Sequence, residues 1–364
     1  MLDAELHRLI FSPVQFGSLS LRNRIVMAPM TRRFAASDGM VTDEIIEYYR
    51  RRAAAGVGLI VSEGTAIDCR HAYDTLTVPR IETQEQIAGW RRVVEAVRAS
   101  GGAFAPQLWH TGRLAYYPIG PSACEMPPRK DGTARPPVKA MDAGDFAQVT
   151  AAYVHAARAS REIGSDALEI HGAHGYLLDS FVSPVNNRRT DQYGGDFDKR
   201  MRFPLEVVRA VRTAVGPAFP VIYRFSQWKV DDPDEIKFRT PEELERWVTA
   251  LREAGVDILH VSTKSAVAPA FPEHGGLTLA GWSRKFSGLP TIAVGSVSMR
   301  TTPAGSPDEV TDPAPALRLV ERGEADLIAV GRALISNANW VELVREDRWR
   351  ELSPYAVADL KSLV

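Results

Sequence analysis

The 364-residue sequence has only two cysteines, Cys69 and Cys124, far apart along the chain. They supply neither a disulfide framework nor the thiolate set of a zinc or iron–sulfur cluster. An excess of one charge is equally missing: 44 Lys and Arg against 45 Asp and Glu leave a formal net charge of −1. That balance gives no electrostatic reason to expect nucleic acid or an anionic membrane surface as a partner. No apolar run reaches the roughly 18 residues that a membrane helix needs. The first residues, Met1-Leu2-Asp3-Ala4-Glu5, carry acids where a signal peptide carries bases. A soluble, cytoplasmic protein is the expectation. Repeats, low-complexity tracts and a recognisable linker are also lacking, so residues 1–364 are read as a single domain.

What the chain does have is a recurring unit. Short β-rich apolar runs lie at 24–28, 58–62, 103–107, 167–170, 221–224, 258–261, 291–294 and 327–330. Helical patterns separate them, such as Ala88–Ala99, Phe146–Ile163, Phe203–Val215 and Pro241–Ala254. The last opens with Thr240-Pro241-Glu242-Glu243, which joins an N-cap, a proline at the first helical position and a capping-box glutamate. Several helices end at a glycine just before the next strand: Gly101, Gly164, Gly255 and Gly323. Eight such units predict an α/β fold of the (β/α)8 TIM-barrel type, since a doubly wound sheet of eight strands would usually declare two halves. A barrel needs about 250 residues. The surplus falls in long segments after strands 3, 4, 6 and 7, that is, in loops on the C-terminal face where barrels carry chemistry.

The residues just past each run therefore predict one mouth. It holds Pro29-Met30-Thr31, Glu63-Gly64, Gln107, Trp109, His110, Arg224, Ser262, Gly295-Ser296 and Gly331-Arg332. Above all it holds His171-Gly172-Ala173-His174-Gly175-Tyr176. Imidazoles and a phenol together can hydrogen-bond an oxyanion and deliver a proton, which is what polarising an unsaturated carbonyl requires. Two histidines at that spacing also occur as plain loop residues or as metal ligands, and His171, His174 and His110 could serve a metal-dependent barrel hydrolase. Glycines and an arginine after strands 7 and 8 suit a phosphate. Gln107 can donate and accept, and Arg224 brings a fixed cation, unless Arg224 is consumed by an ion pair with Glu63 or Glu169. Gly56-Val57-Gly58 lacks the third glycine of a dinucleotide fingerprint and precedes a strand, so it reads as a turn.

Several of these stretches resemble the Old Yellow Enzyme family of FMN-dependent ene-reductases. They are residues 21–32, 58–65, 107–113, 169–178 and 187–195, with Gly331-Arg332 closing the set in the same order over nearly the whole chain. The resemblance implies non-covalent FMN, with NADPH or NADH as reductant and an α,β-unsaturated carbonyl compound or nitroalkene as the small-molecule substrate. It assigns Ala28, Pro29, Met30, Thr31 and Gly64 to the flavin ring, Gln107 and Arg224 to its pyrimidine edge, and Gly295, Ser296, Gly331 and Arg332 to its phosphate. His171 and His174 would hold the substrate oxygen, Tyr176 would donate the proton, and Trp109, Tyr73 and Phe271 would line the substrate side. No metal is implied, nicotinamide would stack on the flavin, and the chain would be a monomer or homodimer. Thr31 and Trp109 place it nearer the branch with those residues than the branch with Cys and a small residue there. Two stretches depart from the family: Asp196-Phe197-Asp198-Lys199-Arg200 and the segment 264–282, where Phe271 and Trp282 are candidates for either stacking on substrate or packing a lid.

Overall fold

In the computed structural model, described for residues 2–67, 70–128, 132–303 and 306–363, eight parallel strands close into a barrel. Cys69 lies outside the described residues. The strands are β1 (Ile25–Met27), β2 (Leu59–Ala66), β3 (Ala103–Trp109), β4 (Leu168–His171), β5 (Val221–Ser226), β6 (Ile258–Ser262), β7 (Thr291–Val294) and β8 (Leu327–Val330). Each pairs with the next in chain order, and β8 returns to β1. Every one of these runs is buried along its whole length, which is why they read as apolar blocks instead of alternating patterns.

Among the described residues, helices α1 (Asp43–Ala54), α2 (Gln84–Ala99), α3 (Ala143–Glu162), α4 (Phe197–Val215), α5 (Pro241–Ala254), α6 (Leu279–Ser287) and α7 (Ala314–Glu321) separate the strands on the outside, with a short extra helix, Leu177–Val182, between β4 and α4. The short helices Arg332–Ser336 and Trp340–Arg345 follow β8. None of the described helices is long and apolar enough to cross a membrane. The caps follow local chemistry. Thr240 Oγ1 accepts the Glu243 N–H as expected, but the Glu243 carboxylate reaches past the cap to the Arg239 N–H, at 2.8 Å. The divergent Asp196–Arg200 stretch is a helix start: Asp196 caps α4 by accepting the Lys199 N–H at 3.0 Å. The helix thus begins six residues before Phe203, and Pro204 sits inside it.

The barrel interior is layered. Its lower layers are apolar, built from residues such as Val26, Leu59, Ala105, Ile222, Ile258 and Ile292. An antiparallel hairpin before β1, Val14–Phe16 with Leu19–Leu21, buries Leu19 and Leu21 in this same cluster and closes the N-terminal end. Nothing in the hydrophobic periodicity predicts that plug, because its strands are three residues each. The upper layer is polar and opens toward the C-terminal face.

Candidate active site

The upper layer surrounds a cavity of ≈ 890 Å³ that runs from Ala28–Thr31 across Gln107 and Arg224 to Gly331 and Arg332. Its first wall is the loop after β1. Glu63 fixes this loop from behind, because its Oε2 accepts the N–H groups of Arg32 (2.9 Å) and Arg33 (3.2 Å). Glu63 reaches that position through a bulge in β2 between Val61 and Gly64, a common device for re-aiming a side chain beside a site. The Ser62 hydroxyl then accepts the Gln107 N–H at 2.9 Å, replacing a ladder bond that the bulge removes.

Burial pushes the Glu63 carboxyl up to about 7, against the lowering effect of the Arg32 and Arg33 amides. The folded state therefore holds the proton more tightly than the unfolded chain. Its stabilising effect is complete below the ordinary carboxyl range and is lost as pH rises toward about 7. Between pH 5.5 and 8 this single group should cost about 2 kcal/mol of stability. Glu63→Gln removes the titration, so its urea unfolding free energy relative to the parent should improve by that amount over the same interval. Parallel pH profiles for the two proteins would refute the assignment.

The floor is a buried polar network. Glu169 accepts from Gln107 Nε2 at Oε1 (2.8 Å) and from His260 Nδ1 at Oε2 (2.6 Å), and neither Glu169 nor His260 has any exposure. Burial raises the Glu169 carboxyl, but His260, Arg224 and the Gln107 bond outweigh it and leave it below the ordinary range. Arg224 has no ion pair with Glu63 or Glu169 among the described residues; it lines the cavity, and its buried Nε lacks a partner.

The end of β4 delivers the imidazoles and the phenol. His171 and His174 meet edge to face with ring centroids 5.3 Å apart, and His171 and Tyr176 likewise at 4.9 Å. Ala173 N–H donates to His171 Nδ1 (3.3 Å), which leaves the proton of a neutral ring on Nε2. His174 takes a left-handed φ of 65°, a conformation of order 1–3 kcal/mol above the ordinary one for a non-glycine residue. Three contacts hold it there: its N–H to Ser226 Oγ (2.8 Å), its carbonyl from Val230 N–H (3.1 Å) and its Nε2 with Ser262 Oγ (2.9 Å). Burial first, then the Arg224 charge, keeps both imidazoles well below their usual range and so neutral. Burial, with Asp74 adding to it, pushes the Tyr176 phenol up to about 12. Tyr176 is seated edge-on to Trp109 at 5.1 Å.

Gly172 makes this turn possible. A Cβ there would stand 2.0 Å from the hydroxyl of fully buried Tyr223 and 2.2 Å from its ring. Gly172→Ala is expected to destabilise the chain by at least about 1–3 kcal/mol through overpacking and to displace His171. In a double-mutant cycle with Tyr223→Ala the two effects should be non-additive, Gly172→Ala costing little once the Tyr223 ring is gone, and simple additivity would locate the defect elsewhere.

At the far end Arg332 is held by Asp308 (2.6 Å) and Thr301 Oγ1 (2.9 Å), and Ser296 Oγ donates to the Lys264 carbonyl (2.7 Å). Some residues expected at the mouth stand back from the cavity wall. Gly64 lies under Trp109, whose ring a Cβ would meet at 2.6 Å. Gly295 approaches the Thr263 carbonyl, 2.5 Å from where a Cβ would sit. Tyr73 packs on Tyr116 and under the Arg80 guanidinium. Phe271 is buried edge-on to Trp282, which stacks on Phe286, so this pair belongs to the hydrophobic core and does not line the cavity. His110 is buried off the wall, its Nδ1 accepting the Gly112 N–H at 3.0 Å, and no group of three His, Cys, Asp or Glu among the described residues is placed to hold a metal ion. Sequence reasoning missed Trp228, which lines the cavity and lies against His174 at 4.6 Å, and the cavity-lining Arg300 and Thr301.

Residues 9–351 match the NADH:flavin oxidoreductase / NADH oxidase family. The chain is 34% identical over 357 residues to an NADH oxidase of Thermoanaerobacter brockii, covering 94% of this chain and 52% of that protein, so it spans about half the relative's length. It is 35% identical over 357 residues to 12-oxophytodienoate reductase 7 of Oryza sativa subsp. japonica, covering 92% and 87% of the two chains. The solved structure of an old yellow enzyme homologue from Zymomonas mobilis superposes with a TM-score of 0.81 at 26% identity, over 96% of each chain.

Proposed function

Because the chain belongs to the NADH:flavin oxidoreductase / NADH oxidase family, the Old Yellow Enzymes, we propose that it reduces the C=C bond of α,β-unsaturated carbonyl compounds or nitroalkenes with electrons from NADPH or NADH. The observation that carries this reading is that His171, His174 and Tyr176 line one cavity with Thr31, Gln107, Arg224 and Arg332. FMN fits that cavity. Its volume of ≈ 890 Å³ lies in the range of about 300–1,000 Å³ usual for ligand sites, and the buried Arg224 guanidinium has an unpartnered nitrogen. Gln107 and Arg224 would hold the pyrimidine edge, Ala28–Thr31 the ring, and Ser296, Gly331 and Arg332 the phosphate. Bound there, FMN would supply the hydride chemistry that links the nicotinamide reductant to the substrate.

The chain's own residues do the rest. His171 donates Nε2–H to the substrate oxygen, and His174 binds the same atom. A neutral imidazole pair polarises the carbonyl and stabilises the enolate-like charge that grows on it as the β-carbon gains hydride. Tyr176, protonated up to about pH 12, gives its proton to the α-carbon and is then reprotonated from water. Trp109 and Trp228 press on Tyr176 and His174 and narrow the space above them.

The test is the visible spectrum of the purified protein under anaerobic conditions. Flavin bands that bleach on addition of NADPH or NADH and return with 2-cyclohexenone are the expected result. A colourless protein that takes up no added FMN would sink the proposal.

A further inference from the structure

The residues expected to touch the flavin leave Glu169 and His260 without a role, although both are wholly buried directly behind the cavity floor. Each lies at the position along its strand that faces the barrel interior: β4 pairs Glu169 with Gln107 of β3 and Ile222 of β5, and β6 pairs His260 with Arg224. A buried carboxylate is costly unless its oxygens are satisfied, and here each oxygen has a donor. The Gln107 bond has a direct consequence. One amide hydrogen is committed to Glu169, so the amide cannot flip, and its carbonyl together with the second N–H is what remains for the cavity. Glu169 therefore decides which groups Gln107 presents, and it keeps a negative charge one side chain behind them.

We propose that the Glu169–His260 pair is a positioning element that fixes the Gln107 amide and sets the reduction potential of the bound flavin. This rests on the reading that the cavity binds FMN. The sign follows from electrostatics. Reduction places negative charge on the pyrimidine side of a flavin; Arg224 favours it, and a permanent anion at Glu169 opposes it and partly neutralises Arg224. The pair thus holds the potential down, which makes the reduced cofactor a better hydride donor. His260 keeps the carboxylate ionised by supplying its second donor.

The experiment is an anaerobic reductive titration of the FMN-loaded protein against a reference dye, on the parent, Glu169→Gln and Glu169→Asp. Glu169→Gln keeps the shape and removes the charge; the reduction equilibrium should shift at least tenfold toward reduced flavin, about 30 mV for a two-electron couple. Glu169→Asp keeps the charge and loosens the Gln107 contact, so its potential should stay near the parent's even if FMN binds more weakly. Should Glu169→Gln not retain FMN, His260→Leu replaces it: a carboxylate stripped of one donor protonates more readily, and the potential should move in the same direction. Potentials that are unchanged or lower in the charge-removing variant overturn the proposal, as does Glu169→Asp shifting as far as Glu169→Gln. A parent protein without flavin would instead overturn the reading on which it rests.

Discussion

Tyr176→Phe is expected to slow the oxidative half-reaction with a cyclic enone by about 10²–10⁴-fold, the usual range for loss of a positioned general acid. The substitution changes little else. Its ring contacts, edge-on to Trp109 at 5.1 Å and to His171 at 4.9 Å, are available to phenylalanine, so stability and flavin content should be retained. The phenol is pushed up to about 12 by burial, so across the neutral range it is a protonated donor and never a competing anion. Reduction of the flavin by nicotinamide requires no proton from this residue and should proceed at the parent's rate. A nitroalkene gives the sharper contrast: hydride addition yields a nitronate that persists without carbon protonation, so the variant should still consume it while releasing the nitronate. Rapid-mixing reoxidation with both acceptors reads this directly. Equal rates for parent and variant with the enone would remove Tyr176 from the proton path.

What could be read in the sequence tracks how local the physical signal is. The eight strands were legible because each is buried on both faces and so appears as an unbroken apolar block; β7 and β8 fall at 291–294 and 327–330 as expected. The cluster at 171–176 was legible because one turn carries all of its members. Residues placed by long-range packing were not. Glu63 could be read as a strand-end residue, but its grip on the Arg32 and Arg33 amides depends on a bulge that no periodicity announces. Tyr73 and Phe271 lie outside any helix or strand, in segments without a period to read, and their rings are taken up by Tyr116 and Arg80 and by Trp282, off the cavity wall. Trp228 is the converse case. It follows β5 in a stretch with no helical or strand period, and its place against His174 is fixed by neighbours outside that period. The Ser226 hydroxyl donates to the Trp228 carbonyl (2.6 Å), and buried Lys229 binds Ser183 (2.7 Å) and Glu235. Asp196 marks the remaining gap: as the N-cap it starts α4 at Phe197, six residues ahead of the apolar pattern that begins at Phe203.

The two histidines, although alike in sequence, should not be equal in effect. His171→Ala is expected to lower kcat/KM for enone reduction by about 10²–10³-fold, or roughly 3–4 kcal/mol of transition-state stabilisation, the typical loss when one oxyanion donor is removed. Its Nδ1 is occupied by the Ala173 N–H, and among the described residues no hydrogen bond competes for the Nε2–H, which is free for the substrate. His174 differs. Its Nε2 already engages Ser262 Oγ at 2.9 Å, and that hydroxyl lines the same cavity. In His174→Ala the serine can donate in place of the lost imidazole, and the left-handed strain at φ 65° becomes easier to relieve. The loss should then be nearer tenfold, and His174→Ala combined with Ser262→Ala should fall to the level of His171→Ala. Both rings are held well below the ordinary imidazole range by burial and Arg224, so neither gains a proton near neutrality. The pH profile of kcat/KM should accordingly show no imidazole inflection between pH 6 and 8, and a break near 6.5 that disappears in His171→Ala would contradict the neutral-donor assignment. Equal losses for the two single variants, with no further effect of removing Ser262, would contradict the asymmetry and return both imidazoles to the same role.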